Sequence, residues 1–464
     1  MCGILGLKCS TPVEPSIVSE LLYSIQHRGP DSNGFVIEDE KIALANSRLS
    51  IIDTSDRGDQ PIYSTNGRYV IVMNGEIYNY QELQQEYLKE FELYSSTDTE
   101  VVVNLFQQLG ITTETISKLD GMFAIAVYDK DTGELYLIRD RLGIKPLYYA
   151  HINGMLIFGS EPKAIINYPG LQFSLNQKAI LSYLQFRYVL NNETFFNEII
   201  MMEAGTFVKI DKAGNWNQET YWELNPNIDN TITEEEAIPK VRELLLNAIR
   251  KRLIADVPLG AFLSGGLDSS IVVIGMNMLN HHPIRTYAIA AEGDPYSEFD
   301  YAKLVAKQVN AEHTELEINS DNYFDLVEQM IEYRDEPLGV PNEPLLMKLS
   351  EKLKEDITVV LSGEGADEIF AGYGRIFRSA QDWKKMSKAK KQENDENYQD
   401  ILEYYPEGFN SLIDIFLYHY RYTPLKTIQQ IVNPEIYDPF IKVTIEPFVR
   451  VFTEAEDLDN PAKF

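Results

Sequence analysis

A cysteine stands second in MCGILGL, and only one other, Cys9, occurs in all 464 residues. The small side chain of Cys2 permits removal of Met1, which would leave one residue carrying both a thiol and a free α-amine. That pairing gives a nucleophile its own base, the arrangement of N-terminal-nucleophile chemistry. A short apolar first strand could begin in the same way, so the stretch alone leaves both readings open. Two cysteines can make neither a disulfide framework nor a four-thiolate metal site, and their separation along an apparent strand disfavours pairing.

A second chemical signal is LSGGLDSS, Leu263 to Ser270. Gly265 and Gly266 allow a tight turn that presents backbone N–H groups, and a helix starting behind them adds its positive end, so the loop reads as an anion cradle. Ser264, Ser269 and Ser270 can add hydroxyl donors. No lysine follows the glycines, unlike the common nucleotide loop. Asp268 would repel bound phosphates unless a divalent cation lay between them; a glycine turn capped by Asp268 at a helix start is the plain alternative.

A third, LSGEGADEIFAGY, Leu361 to Tyr373, again leaves an apolar strand through Ser362 and Gly363. Ligands of open parallel sheets gather at the carboxyl ends of strands. If the two strands are neighbours, Glu364, Asp367 and Glu368 come close to the first loop. Asp367 then pairs with Asp268 as a ligand of Mg2+, an ion that takes one or two carboxylates and shares the rest of its shell with phosphate oxygens and water. A solvated helix start would also explain these acids.

The elements that must carry these residues fall into two grammars. Through about residue 160 the chain reads as short strands with glycine-rich turns (GILGLK, KIALAN, RYVIVMNG, GMFAIAVYD, ELYLIRD, GMLIFGS), interrupted by helices near Pro15–Gln26, Tyr80–Glu90 and Thr99–Leu109. That mixture predicts antiparallel sheets with helices packed outside. The stretch from Glu161 to Leu224 is mixed, with a hairpin in AGTFVKIDKAGNWNQETYW. From Thr233, a long amphipathic helix and then continuous apolar strands alternating with helices predict a parallel sheet covered on both faces. KKMSKAKKQENDENYQD, 384–400, reads as a solvated helix or loop.

An apolar fraction of 44% is that of a folded protein, and 464 residues exceed what one core usually organises. A formal charge of -30 opposes nucleic acid and anionic membrane as partners. No apolar run is long enough to span a bilayer and no signal-peptide pattern opens the chain, so a cytoplasmic location is expected.

In order along the chain, MCGI, HRGPD (27–31), RLSI (48–51), QP (60–61), NGEIYN (74–79), DGMFAIAVYD (120–129), RDRLGIKPLYY (139–149), SEPKA (160–164), SGGLDSS and SGEGADEIFAGY resemble the glutamine-hydrolysing asparagine synthetase family. The resemblance covers essentially the whole chain. It implies a class II glutamine amidotransferase with an N-terminal-nucleophile αββα sandwich over 1–210, a linker over 211–232, and a parallel-sheet ATP pyrophosphatase domain over 233–464. It further implies that Cys2 attacks the glutamine amide, that the Asn74 side chain and the Gly75 N–H hold the oxyanion, that Arg48 takes the α-carboxylate, and that Glu76 and Asp98 surround the α-amine. The thioester is hydrolysed and ammonia is released inside the protein, towards an apolar tunnel.

In the second half the resemblance implies activation of a carboxylate by ATP. Leu263, Val360, Ser362 and Gly363 line the nucleotide pocket, Ser264 to Ser270 clamp pyrophosphate, Asp268 and Asp367 hold Mg2+, and Glu364 manages the protons of the attacking amine. The expected partners are glutamine, ATP and a carboxylate acceptor, aspartate first, with a sugar or peptide acid or a non-enzymatic amino-acid sensor as alternatives; a homodimer is admitted. Family members usually continue beyond the point where this sequence stops at NPAKF, so a missing C-terminal piece is expected.

Overall fold

A computed structural model of the chain describes residues 2–225, 227, 229–280, 282–319, 322–374, 379, 381–384 and 411–454. Of the predicted 384–400 loop, all but Lys384 lies outside the described residues.

The strand grammar produces two stacked antiparallel sheets. The first contains β1 (Gly3–Lys8), β2 (Ser32–Glu38), β3 (Ile42–Arg48), β8 (Tyr148–Ile152), β9 (Met155–Gly159) and β10 (Ile200–Met201), in the order β10-β8-β9-β1-β3-β2. The second contains β4 (Ile62–Tyr63), β5 (Tyr69–Ile77), β6 (Gly121–Asp129), β7 (Glu134–Arg139), β11 (Thr206–Ile210) and β12 (Trp216–Thr220), in the order β12-β11-β7-β6-β5-β4.

Why β5 and β6 are apolar throughout follows from the two-residue period of a strand. Val70, Val72, Ala124, Ala126 and Tyr128 point into the core between the sheets, with Ile4, Leu44, Phe158 and Val208. The alternate residues Ile71, Met73, Phe123, Ile125 and Val127 meet Val101, Phe106 and Leu83 from the helices Asp98–Leu109 and Tyr80–Tyr87. The helix Pro15–Ser24 buries Val18, Leu21 and Leu22.

The third sheet is parallel throughout: β13 (Leu259–Phe262), β14 (Arg285–Ala291), β15 (Glu312–Ile318) and β16 (Val359–Leu361), ordered β15-β14-β13-β16. Ahead of it runs the helix Glu234–Arg252. Thr233 accepts the Glu236 N–H and the Glu236 carboxylate accepts the Thr233 N–H; Glu234–Glu236 open the helix and Arg250–Arg252 close it, each sign opposing the helix dipole. The architecture is therefore two-domain, a β-rich sandwich followed by a parallel α/β sheet.

Contacts divide the chain differently from the sequence expectation. One unit takes Met1–Ser174, Glu198–Pro337 and Asn342–Gly363, and so holds all three sheets; the other takes Leu175–Asn197, Leu338–Pro341 and Glu364–Phe464. Two stretches pack across the expected bounds. Trp216–Thr220, assigned to the linker, pairs with β11 as the edge strand of the second sheet. Within the second unit, the helix Gln177–Phe186, assigned to the first domain, buries Leu181 against Ile428 and Tyr437, and Phe186 clusters with Leu190 and Leu417.

Candidate active site

Strand pairing gathers the residues around Cys2 from both stacked sheets. β1 and β3 pair Gly3 with Ser47, so the step before β1 brings Cys2 to the end of β3 where Arg48 stands. In the other sheet β5 carries Asn74, Gly75 and Glu76 opposite Ala124, Phe123 and Met122. The Gln60 side chain braces this strand, accepting from the Met73 N–H at 2.6 Å and donating to the Met73 carbonyl at 3.2 Å. Together these elements enclose a cavity of about 380 Å3 whose walls include Cys2, Arg48, Asn74, Gly75, Glu76 and Asp98. All six glutamine-site residues proposed from sequence therefore face one hole.

Each polar group there has a distinct state. The Cys2 sulfur accepts from the Leu49 N–H at 3.4 Å, and burial pushes the thiol pKa up. Asn74 is fully buried, and neither atom of its amide has a hydrogen-bond partner among the described residues. A buried amide left unpaired is costly, so a ligand in the cavity is its natural partner. The Arg48 guanidinium, 4% exposed, donates through Nη1 to the Ser55 carbonyl and the Asp59 carboxylate, both at 2.9 Å, and through Nη2 to the carbonyls of Ile52, at 3.2 Å, and Asp53. Asp59 supplies the one carboxylate among these acceptors and is partly exposed, so an incoming carboxylate can exchange with it.

Glu76 and Asp98 bring two acids to the cavity. Burial, then the neighbouring Asp98, raises Glu76 to about 7. Burial raises Asp98 to about 6, although its carboxylate accepts the N–H groups of Ile77 and Thr99, each at 2.8 Å. An ammonium group placed against them would compensate what burial opposes. Sequence reasoning missed Lys145, which lines the same cavity, is 4% exposed and has its pKa pushed down by burial. Its signal was present in RDRLGIKPLYY, but a motif names no neighbour.

HRGPD and SEPKA, quoted above without a role, meet behind the nucleophile. Arg28 Nε donates to the Cys2 carbonyl at 2.9 Å and Nη1 to Glu161 at 2.7 Å. Glu161 also holds His27 at 3.0 Å and Lys163 at 3.4 Å; Lys163 continues to Asp335 at 3.4 Å, at the end of the helix Tyr323–Arg334. The cavity wall also takes in Thr358, Val359 and Val360, so β16 of the parallel sheet borders the cavity around Cys2.

The second set of residues sits where β13 ends. β13 and β16 are parallel neighbours, Ala261 opposite Leu361, so the ends of the two strands lie side by side. Gly265 has φ +96°, and a Cβ there would lie 2.8 Å from the Glu298 carbonyl and from Tyr301 Cβ, so only glycine suits the turn. Ser264 lies 3.1 Å from Ser269 through their hydroxyls, while Ser269 and Ser270 donate to the Gly266 carbonyl at 3.2 and 2.7 Å. Gly266 caps the helix Leu267–Leu279, with Asp268 in its first turn. A Cβ on Gly363 would lie 2.8 Å from the Ser269 N–H nitrogen, so the β16 loop presses directly on that helix start. Leu263 is fully buried and Val360 lies in β16.

Glu364 and Asp367 open the second contact unit, Asp367 in the first turn of Ala366–Phe370, with both side chains exposed. Among the described residues no group of three or more His, Cys, Asp and Glu side chains is gathered to hold a metal. The hard carboxylate oxygens of Asp268 and Asp367 suit magnesium by kind. No helix of the described residues is long and apolar enough to cross a membrane.

Comparison with known proteins places these two centres in separate family models: a glutamine amidotransferase domain matches residues 1–222 and asparagine synthase matches 240–420. The Bacillus subtilis glutamine-hydrolyzing asparagine synthetase 1 is 34% identical over 384 residues, 82% of this chain and 60% of its own length. A Methanocaldococcus jannaschii protein bearing the same family name is 33% identical over 396 residues, 80% of this chain and 76% of its own. Amidase chyE of Penicillium rubens is 30% identical, over 80% of this chain and 59% of that protein. The chain thus spans about 60% of the B. subtilis relative's length. With both family models matched in order, and the relatives aligned across both halves, the chain belongs to the glutamine-hydrolyzing asparagine synthetase family.

Proposed function

We propose that the protein hydrolyses glutamine at Cys2 and uses the ammonia to amidate an ATP-activated carboxylate, converting aspartate to asparagine with release of AMP and pyrophosphate. The observation that carries this reading is the single cavity containing a thiol, an arginine, two acids and an unpartnered buried amide. That set complements every polar group of a free amino acid bearing a side-chain amide.

After loss of Met1, the Cys2 α-amine takes the thiol proton; burial makes the thiol a weak acid, so such a base is needed. Sulfur attacks the amide carbon, Asn74 Nδ2 and the Gly75 N–H stabilise the oxyanion, the α-ammonium passes its proton to the amide nitrogen so that ammonia leaves, and water hydrolyses the thioester to glutamate. Arg48 holds the α-carboxylate, with Glu76 and Asp98 around the α-amine. Because β16 borders this cavity and its end presses on the 264–270 loop, ammonia has a short way to the second centre. There the acceptor carboxylate attacks the α-phosphorus of ATP, forming an acyl-adenylate whose AMP is a far better leaving group than an oxide. Leu263, Val360, Ser362 and Gly363 border the nucleotide, Ser264–Ser270 hold pyrophosphate, and Glu364 accepts the proton from the attacking amine. Magnesium held by Asp268 and Asp367 would neutralise phosphate charge. The division of labour proposed is 1–210 for hydrolysis and 233–464 for synthesis, in a cytoplasmic protein.

Amidation of a different carboxylate is the second reading, left open because a comparably similar relative is named an amidase and not an asparagine synthetase. The deciding experiment uses the complete gene product with glutamine, ATP and magnesium, and measures AMP with aspartate against other acids. Asparagine and AMP formed together with aspartate support the first reading. AMP formed only with another acid replaces it, and ligand-stabilised folding without turnover would leave a sensor. Intact mass should begin at Cys2, and full activity with Met1 retained would refute the thiol mechanism.

A further inference from the structure

At the other end of β1 from the nucleophile lies a second cavity, of about 390 Å3, bordered by Lys8, Cys9, Tyr149, His151, Lys212 and Trp216. Cys2 and Cys9 are separated by the full length of β1, roughly 20 Å of extended chain at about 3.4 Å per residue, so this cavity is no extension of the glutamine pocket. Its walls come from both stacked sheets: β1, β8 and β9 from one, β11 and the turn into β12 from the other. The volume lies within the range of sites for small organic ligands, roughly 300–1,000 Å3.

Charge and aromatic surface coincide there. Tyr149 and Trp216 bring their ring centroids to 4.9 Å at a 38° tilt, and Trp216 remains 36% exposed. Among the described residues neither Lys8 nor Lys212 has a carboxylate within 4.0 Å. The acids that bear on Lys8 electrostatically, Asp39 and Asp211, are otherwise engaged: Asp39 accepts from the Tyr128 hydroxyl, and Asp211 accepts from the Asn215 N–H at 2.8 Å and its side-chain amide at 2.7 Å. Burial pushes the Lys8 pKa down, a tendency that a bound anion would reverse. On a chain of net charge -30, two cations without close carboxylates around one aromatic-walled hole call for an anion. Leu156, buried, and Ile210, buried, supply apolar contact for the rest of it.

We propose that this cavity is a second ligand site, taking a small aromatic anion whose carboxylate or phosphate rests on Lys8 and Lys212 and whose ring lies against Trp216. The reading is independent of the glutamine and ATP chemistry above. Two sources share this ligand chemistry, a nucleoside monophosphate and an aromatic carboxylate.

Cys9, on the cavity wall, provides the readout. The full chain is alkylated with N-ethylmaleimide in the presence of uridine monophosphate, indole-3-acetate, inorganic phosphate or indole, and the rate at Cys9 is followed by peptide mass spectrometry. Uridine monophosphate or indole-3-acetate should slow Cys9 alkylation at least threefold, and whichever does so names the source. Lys212→Gln, at an exposed turn position, and Trp216→Phe should each weaken the protection while leaving the Tm unchanged, and Lys8→Met with Lys212→Gln should remove it. Protection by neither aromatic anion overturns the proposal. So does equal protection by phosphate alone, which would show a plain cationic patch, or by indole alone, which would show a plain apolar one. Protection that survives the double lysine variant does the same.

Discussion

Around Cys2 the polar side chains are already withdrawn from water, with Asn74 fully buried, Arg48 4% exposed and Asp98 6% exposed, whereas along 264–270 only Ser269 and Ser270 are buried and Ser264 is exposed. The first centre presents side chains aimed into a hole. The second offers a glycine turn, hydroxyls and a helix N-terminus, which suit a polyphosphate whose many oxygens accept from whatever N–H groups line the turn. Glutamine, the ligand proposed for the first, has one carboxylate, one ammonium and one amide, so its site must supply a matched group for each. The difference teaches that substitutions around Cys2 should act one functional group at a time, while those in the loop should act on phosphate charge as a whole.

The sharpest way to break that comparison is Asn74→Ala. Loss of one oxyanion donor should lower kcat for glutamine hydrolysis by about 10²–10³ and leave AMP formation with added ammonium near the parent rate; both measured on one preparation would show whether the two centres are separable. Next in size, Asp268→Asn should reduce AMP formation by on the order of a hundredfold while sparing glutamine hydrolysis. Asp367→Asn should behave alike. A nearly silent Asp268→Asn would leave that residue as no more than an acid in the first turn of the helix that Gly266 caps.

A smaller effect on glutamine hydrolysis is expected behind the nucleophile. Glu161→Gln leaves Arg28 and Lys163 without their shared buried carboxylate, and breaking one partner of such a cluster typically costs about 3–5 kcal/mol. Thermal unfolding should shift down by several degrees, and glutamine hydrolysis should fall through a lower kcat because Arg28 holds the Cys2 carbonyl. An unchanged kcat with a lowered Tm would make the cluster purely structural.

The smallest effect is a pH dependence. The folded pKa of Glu76 is raised to about 7 from an ordinary 4.5, so the folded state binds the extra proton between those values. Its contribution is fully present below about 4.5 and is lost as pH rises through about 7. In the ligand-free protein Glu76→Gln should therefore raise the Tm by a few degrees at pH 8 and leave it nearly unchanged at pH 4.5. On the function proposed here the same carboxylate, when charged, would face the glutamine ammonium, so glutamine affinity of the parent should weaken as pH falls below about 7.

Much of this was legible before any coordinates. The short apolar runs KIALAN and GMFAIAVYD, the long amphipathic helix beginning behind Thr233 and the apolar strand running into Gly265 each follow from local rules, and the elements form where those rules put them. The helix Gln177–Phe186 was not read, because its apolar residues find their partners at Ile428 and Leu417, over two hundred residues away. Lys145 was missed for a related reason: a lysine in a loop after a strand is ordinarily solvated, and only its neighbours in the folded chain bury it.

By itself the sequence determined the chemical inventory, namely a penultimate cysteine, an arginine, an amide and two acids in ordered motifs, and two glycine loops leaving apolar strands. Those are properties of residue type and short spacing, set by covalent geometry and local hydrogen bonding. Tertiary structure decided which of them share a space: Cys2 with Asn74 and Asp98 in one cavity, β16 on its wall, and a cationic, aromatic cavity at the far end of the same strand. Burial, and the pKa shifts of Glu76 and Asp98 that follow from it, are also tertiary. They arise only when segments distant in sequence pack and exclude water, and that exclusion lengthens the reach of every charge inside.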